Sequence, residues 1–286
     1  KNCLPKYLVS LKKYLSDNKI DYVFGYALSD SITLGAFRLC EQLDIKYFYL
    51  IGSRLLDYFH LSSSINARTS ILPIQSLSTQ KIISMVQDAT SNKKVPQYAS
   101  DPSMMMHKPF LETLKNFFRL LKGYFYKKQK YLSLELPLSK AIAQKFSRFF
   151  EYSELSKLSN SFAQFAETKY IYFPLHLHPE TATLIWGRWF HNQIEILKLL
   201  SRVLPNNYFL LVKEHQVAAG RRPVHFYREI ASIPQTVFID MNENSHEIIK
   251  RSAAVATISG TAGFKALCHK KNLLLFGDID YGVLPN

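Results

Sequence analysis

Four short clusters in the second half of the 286-residue sequence gather side chains that can move protons or hold anions. The first is Phe173-Pro174-Leu175-His176-Leu177-His178-Pro179-Glu180-Thr181, two histidines and a carboxylate in a loop bracketed by prolines. Glu180 suits general acid or base work, or a hydrogen bond to a ribose or sugar hydroxyl. His176 and His178 alternate as on a strand, so one of the two is expected to face a cleft. The second cluster, Lys213-Glu214-His215, sets a fixed positive charge beside a titratable donor, a pairing suited to phosphate or carboxylate. The third is Asn244-Ser245-His246-Glu247, which reads as a helix start with Ser245 as N-cap and His246 in the first turn, in reach of a phosphate. In the fourth, Ile258-Ser259-Gly260-Thr261-Ala262-Gly263, small residues let the backbone approach a ligand, and two hydroxyls join the free N–H groups of a helix start. This run is neither G-x-x-x-x-G-K-[ST] nor G-x-G-x-x-G. A plain N-cap accounts for Ser259 or Thr261 alone, and the same alternative applies to Asp30 in Ser29-Asp30-Ser31, which is either a cap or a base facing a second substrate.

Metal chemistry finds no pattern. The sequence has no H-E-x-x-H, and its three cysteines, Cys3, Cys40 and Cys268, form no C-x-x-C. The odd number and wide spacing also argue against a disulfide framework, so a reducing cytoplasm is the expected compartment.

The elements that must position these clusters alternate. Leu4, Leu8, Leu11 and Leu15 follow helical spacing, and residues 21–25 read as a short buried strand. The Ser29–Ser31 cluster then opens a helix through Leu43, and the continuous apolar run 45–51 predicts a strand covered on both faces. Residues 61–103 are polar and predict loop plus one helix near 80–88, with a loop over 91–101. In the second half, strands are expected at 170–174, 208–212, 236–239, 253–258 and 272–276, with helices at 193–204, 245–251 and 260–269. Strands alternating with helices predict an α/β fold with open, doubly wound parallel sheets, in which ligands bind beyond the carboxyl ends of the strands. Each of the four clusters falls at a strand end or the helix start that follows one. The length suits two domains, expected as 1–165 and 166–286.

Composition narrows the partners. With 47% hydrophobic and 20% charged residues the chain is a folded globular protein, and no apolar run approaches the ~20 residues that span a bilayer. The start shows no signal peptide, and the ends at Lys1 and Asn286 leave room for further sequence on either side. The net charge of +14 favours anionic partners. Residues 101–150 hold ten Lys or Arg against three Asp or Glu. Within them, 109–131 predicts a basic amphipathic helix with Phe110, Leu114, Phe117, Phe118, Leu121 and Phe125 on one face. Such a helix either packs on its domain with a solvated basic face or lies on an anionic membrane surface. No nucleic-acid-binding module is visible.

In this order the clusters resemble the capsule polysaccharide biosynthesis family, whose members include bacterial transferases of 3-deoxy-manno-octulosonic acid (Kdo). The family's F-P-L-H-x-Q-P-E looks like Phe173–Glu180, its K-E-H-P like Lys213–Gln216, and its S-H-E-L-I like Ser245–Ile249. Its S/N-G-T-x-G-x-E-A-L looks like Ser259–Leu267. Three positions depart, with His178 for glutamine, Gln216 for proline and Lys265 for glutamate. The first half matches more loosely, through Ser29-Asp30-Ser31 and Ser53-Arg54-Leu55. The resemblance implies a GT-B architecture, two Rossmann-like domains facing a cleft, with the donor nucleotide on the C-terminal one and the acceptor on the N-terminal one. It implies a nucleotide-activated sugar as co-substrate, CMP-Kdo above others, with no cofactor or bound metal. The acceptor would be a glycan or glycolipid, and the protein cytoplasmic with peripheral contact to an anionic membrane. Glu180 and Asp30 would be catalytic, and Lys213, His215, Ser245, His246, Ser259, Gly260 and Thr261 would hold the donor. Two other readings stand beside this one: a CDP-glycerol glycerophosphotransferase of similar architecture, and a non-catalytic binder of an anionic ligand.

Overall fold

Continuous apolar runs become parallel strands here, covered on both faces through the middle of the second sheet but on one face in the first, where Tyr22, Phe24, Tyr26 and Leu50 are exposed, which corrects the expectations of a buried strand at 21–25 and of one covered on both faces at 45–51. The computed structural model describes residues 4–52, 54, 59–64, 78–90 and 138–283. The predicted basic helix 109–131 and the loop 91–101 lie outside them.

The first sheet has three strands. Strand β1 (Tyr22–Tyr26) pairs in parallel with β2 (Lys46–Gly52), from Tyr22 opposite Lys46 to Tyr26 opposite Leu50. Helices α1 (Leu4–Asp17) and α2 (Ser31–Gln42) cover one face, where Leu15, Phe37, Leu39, Cys40, Tyr47 and Tyr49 form the core. The third strand, β3 (Phe59–Ser62), runs antiparallel to β2 and corrects the expectation that loop begins soon after it. Four residues without a β-branched side chain give little strand signal, and pairing with β2 supplies what propensity lacks. Helix α3 (Thr79–Thr90) matches the helical patch expected near 80–88.

The second sheet is wholly parallel, and its spatial order is β4-β7-β6-β5-β8-β9. The five expected strands are present as β5 (Lys169–Pro174), β6 (Tyr208–Lys213), β7 (Thr236–Ile239), β8 (Ala254–Thr257) and β9 (Asn272–Leu275). The sixth, β4, is the polar pair Ser159–Asn160 at the edge, led in by helix α4 (Leu138–Leu158). Leu155 of α4 packs into the core of this sheet, which therefore draws in chain ahead of residue 166. Helices α5 (Thr181–Leu184), α6 (Gln193–Val203), α7 (Val224–Ala231), α8 (Ser245–Arg251) and α9 (Thr261–Cys268) complete the unit. Leu197, Leu200, Tyr227 and Ile230 fill one side of the sheet with Phe173, Leu210 and Val212. On the other side, Ile248, Ile249 and Ala266 pack on Tyr170, Tyr172 and Leu211. Among the described residues no helix is long and apolar enough to cross a membrane.

The strand order fixes where a ligand fits. From β5 the chain builds outward through β6 and β7 on one side and β8 and β9 on the other, so the loops after β5 and β8 part and leave a crevice at their carboxyl ends. Two hydrogen bonds among the described residues join the first unit to this crevice. Thr181 Oγ1 donates to the Ser29 carbonyl at 3.5 Å, and Arg54 Nη2 donates to the Ser259 carbonyl at 3.0 Å.

Candidate functional site

The turn between β8 and α9 forms one wall of the crevice. Its backbone is held from several sides: Ser259 N–H donates to His176 Nε2 at 3.3 Å, and Gly260 N–H to Thr257 Oγ1 at 3.3 Å. The Ser259 hydroxyl donates to the Ala182 carbonyl at 2.9 Å, so it frames the site from within rather than facing a ligand. Gly260 is the helix N-cap and brings no side-chain cap, which corrects the alternative that Ser259 or Thr261 caps α9. A β-carbon at residue 260 would lie 3.0 Å from His176 Nε2 and 3.2 Å from Thr257 Oγ1, which is why a glycine sits there. Both carbonyls of the turn are engaged, Ser259 O by Arg54 and Gly260 O by the Tyr281 hydroxyl at 2.6 Å. What the turn offers an incoming group is the N–H ends of α9, which attract anions.

The loop after β5 forms the opposite wall. Its two histidines part, as their alternation predicts. His176 is buried with its ring against the β8 turn, and burial pushes its pKa down to about 3, so it is neutral. Because Nε2 accepts from Ser259 N–H, the ring proton sits on Nδ1, by the Pro174 carbonyl. Gln193 clamps the His176 peptide, accepting from its N–H at 2.7 Å and donating to its carbonyl at 3.1 Å. His178 turns outward, 2.9 Å from Thr183 Oγ1, with its ring stacked on His191. Glu180 occupies the N-cap position of α5 and lines the crevice, where partial burial raises its carboxyl pKa. A carboxyl raised in this way is closer to the range in which it can exchange a proton with substrate.

His215 enters from the end of β6. Its Nδ1 accepts from Val217 N–H at 3.2 Å, which leaves the neutral ring with Nε2–H as a donor. Burial, reinforced by the Arg222 and Lys213 charges, lowers its pKa. Behind it lies a buried ion pair that the sequence did not reveal. Glu214, fully buried, accepts from Arg222 Nε at 2.8 Å and from His215 N–H at 2.7 Å. Burial raises the Glu214 pKa while Arg222 opposes that rise. Arg222 also donates to the His176 carbonyl and rests on the Phe226 ring, 4.7 Å from its centroid, so it ties the end of β5 to the end of β6.

These walls enclose a pocket of about 500 Å³. Glu180, His215, Ser259, Gly260 and Thr261 of the expected residues line it, with His176 and Trp186, and Ser29 and Arg54 reach it from the first sheet. Lys213, Ser245 and His246 do not line it. They form a second cluster behind it. Lys213 is buried and donates to Ser245 Oγ at 2.7 Å, and burial lowers its pKa to about 8. Asn244, not Ser245, caps α8, its Oδ1 accepting from His246 N–H at 2.9 Å. His246 Nε2 lies 2.8 Å from Lys265 Nζ, and burial together with that charge lowers the histidine pKa to about 4. Asp30 is taken up as the cap of α2. Its Oδ1 accepts from Ile32 and Thr33 N–H at 2.8 and 2.9 Å, and the bond from Thr33 holds its pKa low, which weakens it as a base. Among the described residues no group of three His, Cys, Asp or Glu is arranged around a metal position.

The neutral state of His246 has a measurable cost. Its pKa in the folded protein lies below the ordinary 6.5, so between those values the unfolded chain binds a proton that the folded one does not. Stability is therefore lost as pH falls from 6.5 towards 4. His246→Gln is expected to shrink the drop in melting temperature between pH 7 and pH 4.5, and an equal drop in both proteins would refute this.

Arg222 is a site residue that sequence reasoning did not single out, and Arg54 entered only within the Ser53-Arg54-Leu55 resemblance, with no role given to it. For Arg54 a signal existed, since a lone arginine two residues past the end of a parallel strand stands where ligands bind. For Arg222 none did, because its partner is recognisable only after folding.

The chain resembles the Thermosulfurimonas dismutans KpsC beta Kdo 2,7 transferase at 12% identity and a TM-score of 0.45, covering 96% of this chain and 70% of that one. For the beta Kdo 2,4 transferase of the same KpsC the figures are 12%, 0.42, 91% and 70%. Staphylococcus aureus MnaA, in a co-structure with UDP, gives 13% identity and a TM-score of 0.32 over 95% of this chain and 62% of that one. No curated protein sequence matches. The sequence profile described as capsule polysaccharide biosynthesis protein matches residues 80–283, well over half of the 286. By that match the chain belongs to the capsule polysaccharide biosynthesis family.

Proposed function

We propose that this protein is a glycosyltransferase of the GT-B type that moves a sugar from a nucleotide donor, CMP-Kdo above others, onto a capsular polysaccharide or its lipid-linked primer. The observation that carries the reading is the convergence, in one crevice at the carboxyl ends of β5, β6 and β8, of a raised carboxyl, a histidine N–H and the cleared start of a helix. In the transfer, the bond between the anomeric carbon and the donor phosphate oxygen breaks, and the acceptor hydroxyl oxygen bonds to that carbon. Its proton passes to Glu180. The negative charge that grows on the departing nucleotide meets His215 Nε2–H and the N–H groups at Thr261 and Ala262, donors already fixed in place. Lys213, Ser245 and His246 support the donor wall from behind, with Lys213 adding positive charge near the end of β6.

The test is a thermal-shift and calorimetric titration with CMP, CDP, UDP, GDP and AMP, because a ligand that binds the folded state alone raises the melting temperature. CMP is expected to stabilise the protein selectively, and His215→Ala to abolish that response. Preference for UDP or GDP would refute CMP-Kdo as donor, preference for CDP would point to a glycerophosphotransferase, and no response to any nucleotide would refute the transferase reading.

A further inference from the structure

Arg54 belongs to the first sheet by sequence and to the second by contact. It lies two residues beyond the end of β2, yet its Nη2 donates to the Ser259 carbonyl, 205 residues away in sequence. Its guanidinium carbon stands 5.7 Å from the centroid of the Trp186 ring and 5.9 Å from that of Tyr281, both carried by the second unit. Both distances are within cation–π range, and the side chain lines the pocket beside the β8 turn. Among the described residues no carboxylate pairs with it, and the Ser259 carbonyl takes one of its five N–H groups. A partly buried guanidinium with donors that no described residue takes up is well placed to be completed by an anion.

We infer that Arg54 is a donor-binding residue, its remaining N–H groups holding a phosphate oxygen of the activated donor beside the α9 turn, a role that rests on the transferase reading above. Donor binding then draws on both sheets at once. A planar fork suits phosphate in a way that a lysine ammonium does not, so charge alone does not replace it.

Calorimetric titration of CMP and of cytidine into the native protein, Arg54→Met and Arg54→Lys tests this. Arg54→Met is expected to weaken CMP at least tenfold and leave cytidine unchanged, with Arg54→Lys falling between. A residue that merely straps the two units together would weaken both ligands alike, so an unchanged ratio of CMP to cytidine affinity in both variants overturns the inference while leaving the transferase reading intact. If Arg54→Met melts early in the absence of ligand, the same ratio is read from Arg54→Lys. Failure of the native protein to bind CMP overturns the donor reading and this role with it.

Discussion

Replacing Glu180 with glutamine is expected to lower the rate of transfer by roughly 10²–10⁴-fold, the usual contribution of a positioned general acid or base. The substitution keeps the size and polarity of the side chain and leaves the main chain at the start of α5 as it is, with Thr183 N–H donating to the Glu180 carbonyl at 3.0 Å. Nucleotide affinity should therefore change little, which separates loss of proton transfer from loss of binding. The pH profile gives an independent reading. Partial burial raises the Glu180 pKa, and a base works only when deprotonated, so activity should fall as pH drops through that raised value. In Glu180→Gln this acid limb should vanish. A variant that retained near-native turnover, or one whose acid limb persisted, would assign the proton to another group.

Arg222→Met is expected to be the most destabilising single change in the site. It would leave Glu214, with no exposed side-chain surface, as a buried carboxylate without its partner. Breaking such a pair from one side costs about 3–5 kcal/mol, which for a chain of this size corresponds to a fall in melting temperature on the order of 10 °C. The double variant Glu214→Gln with Arg222→Met should recover part of that loss, because the stranded charge is then removed as well. Donor affinity should also drop, since Arg222 holds the His176 carbonyl and through it the seat of the β8 turn. A melting temperature within a degree or two of the native value would mean that the pair contributes no more than a surface salt bridge.

How much of this was legible beforehand depended on what each residue's signal requires. Strands β5 to β9 announced themselves because a parallel strand between two layers of helices must be apolar on both faces, as Tyr170 to Phe173 and Phe209 to Val212 are. The pair Ser159–Asn160 carries no such run, and its place in the sheet follows from hydrogen bonds to β7 that composition does not encode. Helix α7 escaped for a related reason, since eight residues give little more than two turns of periodicity, although Tyr227 and Ile230 are fully buried. The chemistry-bearing types were readable as clusters, but their division into a pocket and a supporting layer was not. Lys213 ends β6 and His215 lies two residues beyond it, yet one turns inward to Ser245 and the other lines the crevice. Side-chain direction at a strand's end is set by the neighbouring loops, so spacing alone left both as donor contacts. Ser245 and Asp30 divide differently. Each looked like a site residue or a cap, and Asn244 took one capping role while Asp30 took the other.

The grip of Arg54 on the second unit is made to a peptide oxygen, and this has a consequence for how the two halves can vary. Every residue type carries the same main-chain carbonyl, so exchanges at position 259 alter the hydroxyl contact with Ala182 while the acceptor for Arg54 remains. Position 260 is less free, because a β-carbon there would meet His176 Nε2 at 3.0 Å and Thr257 Oγ1 at 3.2 Å, so the two side chains that hold the turn would have to give way. The interlock between the halves is thus encoded asymmetrically, as one amino-acid identity on the first and as a backbone shape on the second, and a lineage can lose it in a single step at residue 54 but only by reshaping a turn at the other end.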